Sequence, residues 1–286
     1  MPLDPDTLLN WPFPEIEHRY TERDTILYAL GVGAGHDPLD PGDLRHVYED
    51  GLLALPSMAV VLGHPGFWLK HPDTGIDWRQ TLHGEQGLVL HRKLPVAGTV
   101  VGRTRITGLV DKGPGKAALL FSERTVVDGT SGDLLCTVTS TTFLRGEGGF
   151  GGAAGPVPAP HPMPGGEPDR TLDLPTLPQA ALIYRLSGDD NPLHADPAIA
   201  AAAGFPRPIL HGLATYGVAG RAVLKACCGG DPARLKRLDV RFSAPVFPGE
   251  TIRTEIWGDG PVVSFRCRVV ERDVVVLSNG LAEIGG

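Results

Sequence analysis

An internal repeat is the feature that most constrains the fold of this chain. The first half contains ILYALGVGAGHDPLD at 26–40, and the second half contains LIYRLSGDDNPLHAD at 182–196. In both halves a segment of helical pattern follows, LPSMAVVLG from Leu55 and LHGLATYGVAG from Leu210, and strand-like segments come after it. Because self-similarity on this scale indicates a duplicated unit, we predict two copies of one α+β unit.

The strand-like segments at the end of each half are candidates for antiparallel sheets. In TIRTEIW (251–257), Ile252 and Ile256 alternate with charged residues, which is typical of a strand with one buried face. The phrases LPVAGTVV and APVFPGETI, which introduce the strands, also match. Each unit is therefore predicted to be a helix followed by an antiparallel sheet.

The helical segment of the second half, Gly212 to Cys228, is apolar on most faces and rich in alanine and glycine. A helix that is apolar all round is buried, and small side chains let other elements approach its backbone closely. The following Gly229-Gly230 is a plausible end of the helix. A sheet wrapped around this helix accounts for both properties.

A glycine- and proline-rich stretch between Arg145 and Arg170 separates the halves. Such a composition cannot bury a core and is typical of a linker. We therefore divide the chain into a first repeat (1–149), a linker (150–169) and a second repeat (170–286).

Charge and hydropathy exclude some classes of function. The formal net charge of −7 argues against wholesale binding to a nucleic-acid backbone. No apolar run reaches the roughly 18 residues of a membrane helix, so we expect no membrane association. The beginning of the chain lacks the pattern of a signal peptide, and its end lacks an SKL- or KDEL-type address. We therefore expect a cytoplasmic location.

A polar cluster distinguishes the second half: Asp189, Asn191 and His194 lie within YRLSGDDNPLHADP. Pro192 disfavours a helix and Gly188 permits unusual dihedral angles, so we expect a tight loop. A carboxylate and an imidazole close together can act on one water, with one group taking a proton from water while another delivers a proton to carbon. An amide can orient the water. The alternative is that these residues only form a turn.

Gly212 lies where the buried helix begins, in PILHGLATYG. Free N–H groups at a helix N-terminus stabilise a developing oxyanion, and a glycine lets a ligand carbonyl approach closely. Together with Asp189 and His194, this predicts a site that polarises a carbonyl group and manages a water molecule. A metal site formed by Asp189, His194 and His211 is an alternative, but the spacing matches no known ligand pattern, so we expect no metal.

The stretch YRLSGDDNPLHADP, followed by GFPRPILHGLATYG, resembles the signature of the MaoC-like, type 2 (R-specific) enoyl-CoA hydratases. YTERDTILYALGVGAG and VRFSAPVFPGET extend the resemblance over nearly the whole chain. The resemblance implies a double hotdog fold, in which each repeat wraps an antiparallel sheet around a central helix. It also implies reversible hydration of trans-2-enoyl-CoA to (3R)-3-hydroxyacyl-CoA without a cofactor, coenzyme A being part of the substrate.

The resemblance also implies roles for individual residues. Asp189 and His194 match the catalytic dyad, Asn191 matches the assisting amide, and Gly212 matches the oxyanion donor. Which dyad member handles the proton of water and which the proton of carbon stays open at this point.

The first repeat departs from the signature. Asp40 falls about where His194 would be, and Ser57 takes the place of Gly212. One active site per chain is therefore expected, and the family resemblance implies that the first repeat makes room for the acyl tail.

Contacts to coenzyme A and the assembly state are weaker expectations. Arg207, Arg237 and Arg241 are candidates for binding the phosphates of coenzyme A, although a solvated charged surface explains them equally well. We also expect a homodimer. The alternative functions are a (3R)-hydroxyacyl thioester dehydratase of fatty acid synthesis, a hotdog thioesterase, and an acyl-thioester binding protein.

Overall fold

A computed structural model describes residues 3–286 and contains one ten-stranded sheet in which every neighbouring pair is antiparallel. The strands are β1 (Ile16–Tyr20), β2 (Thr81–Leu90), β3 (Gly98–Asp111), β4 (Ala118–Asp128), β5 (Leu134–Leu144), β6 (Arg170–Pro175), β7 (Leu235–Phe242), β8 (Thr251–Trp257), β9 (Val262–Val269) and β10 (Val274–Ile284). The helices are α1 (Pro5–Leu9), α2 (Glu22–Gly31), α3 (Pro41–Leu44), α4 (Ala180–Tyr184), α5 (Pro197–Ala202) and α6 (Gly212–Cys227). Within this range, no helix has the length and apolar character needed to cross a bilayer.

The strands of the first repeat lie in the order β1-β3-β4-β5-β2. The equivalent strands of the second repeat follow in reverse order, β7-β10-β9-β8-β6, so the two halves of the sheet mirror each other in strand order. Strands β2 and β7 join the two repeats, with Glu85 opposite Arg241 and Val89 opposite Arg237. Because an unpaired strand edge is a liability, each repeat covers the edge that the other would expose. The predicted duplication with antiparallel sheets is confirmed. The domain boundaries stay a prediction, since one sheet runs through both repeats.

Helix α6 forms the core of the second repeat, as its composition predicted. All its residues from Ala214 to Leu224 are buried. A Cβ atom at Gly217 would lie 2.5 Å from Cγ1 of Val32, which belongs to the first repeat. The small residues of α6 therefore let the two repeats pack closely against one another.

The first repeat has no helix of comparable length. The segment that begins at Leu55, which the pattern predicted to be helical, forms only a five-residue 3₁₀ turn, Pro56–Val60. Gly63 follows with φ +59°, and its Cα lies so close to β3 that an added Cβ would be 2.8 Å from Gly102. The chain turns back against the sheet before a helix can extend, and it leaves the concave face of the first sheet uncovered.

The Gly/Pro-rich segment at 150–169 begins against the first repeat, where Gly151 donates to Asp111 over 2.9 Å, and its later part lies against the second repeat. His161 Nε2 is 2.7 Å from the hydroxyl oxygen of Ser264, and Asn279 Nδ2 donates to the carbonyl oxygen of His161 over 2.8 Å. Trp257 Nε1 donates to the carbonyl oxygen of Gly166 over 3.2 Å. Hydrogen bonds therefore fix the path of a segment that lacks a core of its own.

Candidate active site

The loop between α4 and α5 holds the polar cluster in a series of short turns. Gly188 adopts φ +110°, a left-handed conformation that favours glycine, and redirects the chain just before Asp189. Pro192 then begins a 3₁₀ turn that ends at His194. The side chain of Asp196 caps α5 by accepting a hydrogen bond from the Ala198 N–H over 2.7 Å.

Backbone hydrogen bonds orient the acid and the amide of the cluster. Asp189 Oδ1 accepts from the N–H of Asn191 over 3.2 Å, which leaves Oδ2 free. Asn191 Oδ1 accepts from the N–H of Leu193 over 3.2 Å, so its amide NH₂ group is the part available to a ligand. Both residues are partly exposed, and both line a cavity.

His194 is held in one orientation by the backbone. Its Nδ1 lies 2.9 Å from the carbonyl oxygen of Ile209, and because a carbonyl can only accept, Nδ1 carries the proton. A neutral ring therefore keeps a free lone pair on Nε2. Burial lowers the pKa of His194 below its ordinary value, while the charge of Asp189 acts in the opposite direction. The ring is thus a neutral base at physiological pH.

His211 supports this arrangement from beneath. It is fully buried, its ring stacks on that of His194 at a centroid distance of 3.8 Å, and its Nε2 donates to the backbone carbonyl of Asp189 over 3.2 Å. Burial, followed by the neighbouring His194, lowers the pKa of His211 to about 4. Sequence reasoning gave this residue no role except in the metal alternative. Its position immediately before Gly212, the predicted oxyanion donor, was the sequence feature that could have placed it at the site.

The two members of the dyad lie together. Asp189, His194 and His211 each offer one side-chain atom such that the three atoms lie within 4.8 Å of one another. These groups could also approach a metal ion, although one ring nitrogen of each histidine is already engaged with a carbonyl oxygen. The expectation that no metal is needed stays a prediction.

Gly212 is the first residue of α6. The carbonyl oxygen of His211 accepts from the N–H groups of Ala214 and Thr215, whereas the N–H of Gly212 has no hydrogen-bond partner among residues 3–286. A Cβ atom at Gly212 would lie 3.2 Å from Phe242 Cε1, so this position is already crowded on one side. Gly212 lines the same cavity as Asp189 and His194, and its N–H could donate to a carbonyl oxygen there.

The cavity has a volume of about 1210 Å³ and continues from the dyad into the first repeat. Its walls include one face of β4 and β5, with Leu120, Arg124 and Val138 among the lining residues. In a hotdog repeat with a central helix, this face would pack against that helix. The short turn at Pro56–Val60 leaves this face open. The space where the first repeat lacks a helix is therefore joined to the active-site loop of the second.

The three candidate arginines lie outside this cavity. The guanidinium of Arg207 lies 5.0 Å from the ring centroid of Phe247. Arg237 forms ion pairs with Asp239 of its own strand at 2.7 Å and with Glu283 of β10 at 3.3 Å. Arg241 pairs with Glu85 of β2 at 3.4 Å. Their role in binding coenzyme A stays a prediction.

The two first-repeat residues that were matched to the signature have structural roles. Asp40 caps α3 by accepting from the Gly42 N–H over 2.8 Å, and it forms an ion pair with Lys225 of α6. It therefore acts as Asp196 does in the second repeat. Ser57 is buried against α6, where a Cβ at Gly220 would lie 3.3 Å from its Cβ.

Comparisons with known proteins agree with this arrangement. A family profile described as MaoC like domain matches residues 160–279, and one described as MFE-2 hydratase 2 N-terminal domain matches residues 18–146. The chain is 41% identical to a peroxisomal enoyl-CoA hydratase 2 of Arabidopsis thaliana, covering 98% of this chain and 95% of the relative. It is 43% identical to 3-hydroxyacyl-thioester dehydratase Y of Mycobacterium tuberculosis, covering 99% of both.

Solved structures agree as well. A MaoC-like dehydratase from Phytophthora capsici superposes with a TM-score of 0.87 at 36% identity, covering 99% of this chain and 98% of that one. A Mycobacterium tuberculosis protein described as having a double hotdog fold superposes with a TM-score of 0.58 at 19% identity, covering 96% and 93%. The predicted double hotdog fold is confirmed.

Proposed function

We propose, on the premise that this chain belongs to the family of MaoC-like dehydratases, that it is a hydro-lyase that adds water reversibly to trans-2-enoyl-CoA and forms (3R)-3-hydroxyacyl-CoA. Its full-length similarity to an enoyl-CoA hydratase 2 supports the reaction class. The substrate is an acyl thioester of fatty acid metabolism.

The observation that carries the proposal is the meeting of three groups at one end of the cavity. The Asp189 carboxylate and the His194 ring lie within 4.8 Å of each other, and Gly212, whose N–H has no partner among residues 3–286, lines the same cavity. Hydration of a conjugated thioester needs this combination, because negative charge develops on the carbonyl oxygen while water attacks C3.

The chemistry follows from these positions. The Gly212 N–H, reinforced by the dipole of α6, stabilises the developing enolate oxygen. His194, with a free lone pair on Nε2, accepts a proton from the water, and Asp189 and the Asn191 amide hold that water against C3. The hydroxyl oxygen bonds to C3 and the dyad returns one proton to C2, so the net reaction consumes only water. Because the groups act from one side, addition is syn.

The reverse reaction uses the same residues. A catalyst does not set the direction of an equilibrium, and one relative with 43% identity is named a 3-hydroxyacyl-thioester dehydratase. Dehydration of a (3R)-hydroxyacyl thioester is therefore the second candidate function.

We propose that the reaction needs no metal or redox cofactor, because the amino-acid side chains supply both the base and the oxyanion donor. Turnover that survives exhaustive treatment with EDTA is the expected result. Loss of turnover that added zinc restores would instead assign Asp189, His194 and His211 to a metal site.

Location and assembly are also proposals. We propose a cytoplasmic homodimer, although the Arabidopsis relative is named as peroxisomal. Size-exclusion chromatography with light scattering tests the dimer, and cell fractionation tests the location.

The decisive experiment offers the protein a series of trans-2-enoyl-CoA chain lengths. We expect loss of the conjugated enoyl absorbance and a product of 3R configuration. Release of free coenzyme A without loss of the double bond would identify a thioesterase, and binding without turnover would identify an acyl-thioester binding protein.

A further inference from the structure

An unusual arginine lies inside the part of the cavity that belongs to the first repeat. Arg124, on β4, lines the cavity with only 6% of its surface exposed. One terminal nitrogen donates to the carbonyl oxygen of Val60 over 2.6 Å, and Nε is buried with no partner. No carboxylate of residues 3–286 lies within 4.0 Å of this guanidinium. It is a buried cation without a counter-ion.

The second repeat has an apolar residue at the corresponding place. Arg124 lies four residues before the end of β4 at Asp128, and Phe265 lies four residues before the end of β9 at Val269. Phe265 is fully buried in the core. The fold itself therefore does not need an arginine here.

The surroundings of Arg124 are polar for a channel that receives an acyl chain. The hydroxyl oxygens of Ser122 and Ser140 lie 2.7 Å apart on the cavity wall, and the hydroxyl of Thr104 is buried without a partner. Asp24 also lines the cavity, and its Oδ2 accepts hydrogen bonds from the backbone N–H and the hydroxyl of Thr21 over 2.8 and 2.7 Å. Within residues 3–286, no acidic side chain of the wall forms an ion pair with Arg124; these side chains are Glu17, Asp24, Asp189 and Asp190.

An uncompensated cation in this position has a cost that a ligand could remove. Burial lowers the pKa of Arg124 to about 10, so the side chain is still charged at neutral pH. Burying a charge without a partner is unfavourable, and a charge-assisted hydrogen bond to an anion offsets that cost. A purely hydrocarbon tail in the cavity would displace water from the guanidinium without supplying a hydrogen-bond acceptor.

The arginine and the catalytic loop belong to one continuous cavity. His64 lines the same cavity, and the charges of Arg124 and Asp189 act on the pKa of its ring in opposite directions. Both Arg124 and Asp189 are thus close enough to act on the same ring. A chain bound by its thioester end at Asp189 would extend toward Arg124.

We propose that the cavity binds enoyl chains whose far end carries a carboxylate, and that Arg124 binds this carboxylate. The substrates would be coenzyme A monothioesters of α,ω-dicarboxylic acids with a trans-2 double bond. This inference rests on the proposed hydratase function and specifies its substrate.

The test compares three substrates of equal length: the trans-2-enoyl-CoA with an ω-carboxylate, its ω-methyl ester, and the chain with an ω-methyl group. We expect wild-type kcat/KM to be about 10- to 100-fold higher for the carboxylate than for the ester, the range of a charged hydrogen bond. A series of lengths should show an optimum, because only one length places the carboxylate at Arg124.

Substitution then assigns the effect to one residue. Arg124→Met should lower kcat/KM on the carboxylate by the same factor and leave turnover of the methyl-terminated chain within about threefold. Arg105→Met is the matched control, because Arg105 lies on the adjacent strand and its exposed side chain pairs with Glu123. Arg105→Met should leave turnover of both the carboxylate and the methyl-terminated chain unchanged. If Arg124→Met does not fold, Arg124→Lys and the comparison of carboxylate with ester on the wild-type protein still decide the question.

Two outcomes overturn the inference: equal wild-type turnover of carboxylate and ester at every length, or an equal loss on all substrates in Arg124→Met. If no enoyl-CoA is hydrated at all, the proposed function fails instead, so the two failures are distinguishable.

Discussion

The two repeats share one sheet topology but fill it differently. In the second repeat the 16-residue α6 covers the concave face, whereas in the first repeat a five-residue 3₁₀ turn leaves that face open to a cavity. The second repeat also brings Asp189 and His194 together, whereas Asp40 of the first repeat caps a helix and pairs with Lys225. Two copies of one sheet can therefore differ in what packs against them: a long helix fills one copy, and a cavity borders the other.

The largest effect is expected from separating the repeats. A fragment of 170–286 would lose the pairing of β7 with β2 and the contact of Gly217 with Val32. Exposed strand edges and apolar helix surfaces promote association, so it should be insoluble or pair with itself, without turnover of long chains. Light scattering and turnover on a short and a long enoyl-CoA measure this. A monomeric fragment that hydrates long chains normally would show that the first repeat is dispensable.

Removing either member of the dyad should abolish most activity without unfolding the protein. Asp189→Asn and His194→Ala should each lower kcat by on the order of 10²- to 10⁴-fold, because a positioned acid or base is lost. The double variant should lose much less than the product of the single losses. Asp190→Asn, which alters the adjacent exposed carboxylate, is the control. Near-normal turnover of either single variant would contradict the assignment.

The contact between the repeats contains a buried ion pair, and breaking it should reduce stability. Arg221 of α6 donates to Asp43 over 2.8 Å, and the two side chains are 3% and 7% exposed. Asp43→Asn should lower the free energy of unfolding by about 3 kcal/mol, because it leaves a buried cation unpaired. Asp173→Asn breaks the exposed pair with Arg253 and should cost less than about 1 kcal/mol. If denaturant titrations showed the same decrease in the free energy of unfolding for both variants, the buried pair would be no more important for stability than the exposed pair.

Acid should weaken the second repeat at its active site. The pKa of His211 is lowered to about 4 by burial, so the unfolded chain takes up the proton first as pH falls. The contribution of this residue to stability is present above about 6.5 and is lost as pH falls toward about 4. The free energy of unfolding should therefore decrease over this window, and His211→Phe should make that decrease shallower. An unchanged slope in the variant would assign the acid sensitivity to other groups.

The smallest effect is expected at Asp40, the first-repeat residue that caps a helix as Asp196 does in the second repeat. Asp40→Ala removes the cap of α3 and the pair with Lys225, which should cost about 1 kcal/mol of stability. Asp40 does not line the cavity, so the substitution should not abolish turnover. At most, it should alter the preference for one acyl chain length over another. An equal loss of turnover on every chain length in a folded variant would mean that the first repeat takes part in catalysis.

Local patterns in the sequence were sufficient to predict the repeat, the buried helix and the tight loop that holds Asp189, Asn191 and His194. The period of two in TIRTEIW, the run of small apolar residues after Gly212 and the turn-forming Gly188 and Pro192 each depend on a few neighbouring residues. Backbone restriction by proline, the freedom of glycine and burial of one face act over such short distances. For that reason these elements could be predicted without knowing the rest of the chain.

The tertiary structure decided what fills each sheet and which side chains meet. LPSMAVVLG reads as a helix by pattern, but close packing of Gly63 on Gly102 ends it after one short turn, and the cavity follows from that. The stacking of His211 on His194 and the burial of Arg124 depend on strand register and on contacts between residues far apart in the chain. No local pattern encodes such contacts, because they join separate segments that meet only when each repeat has folded.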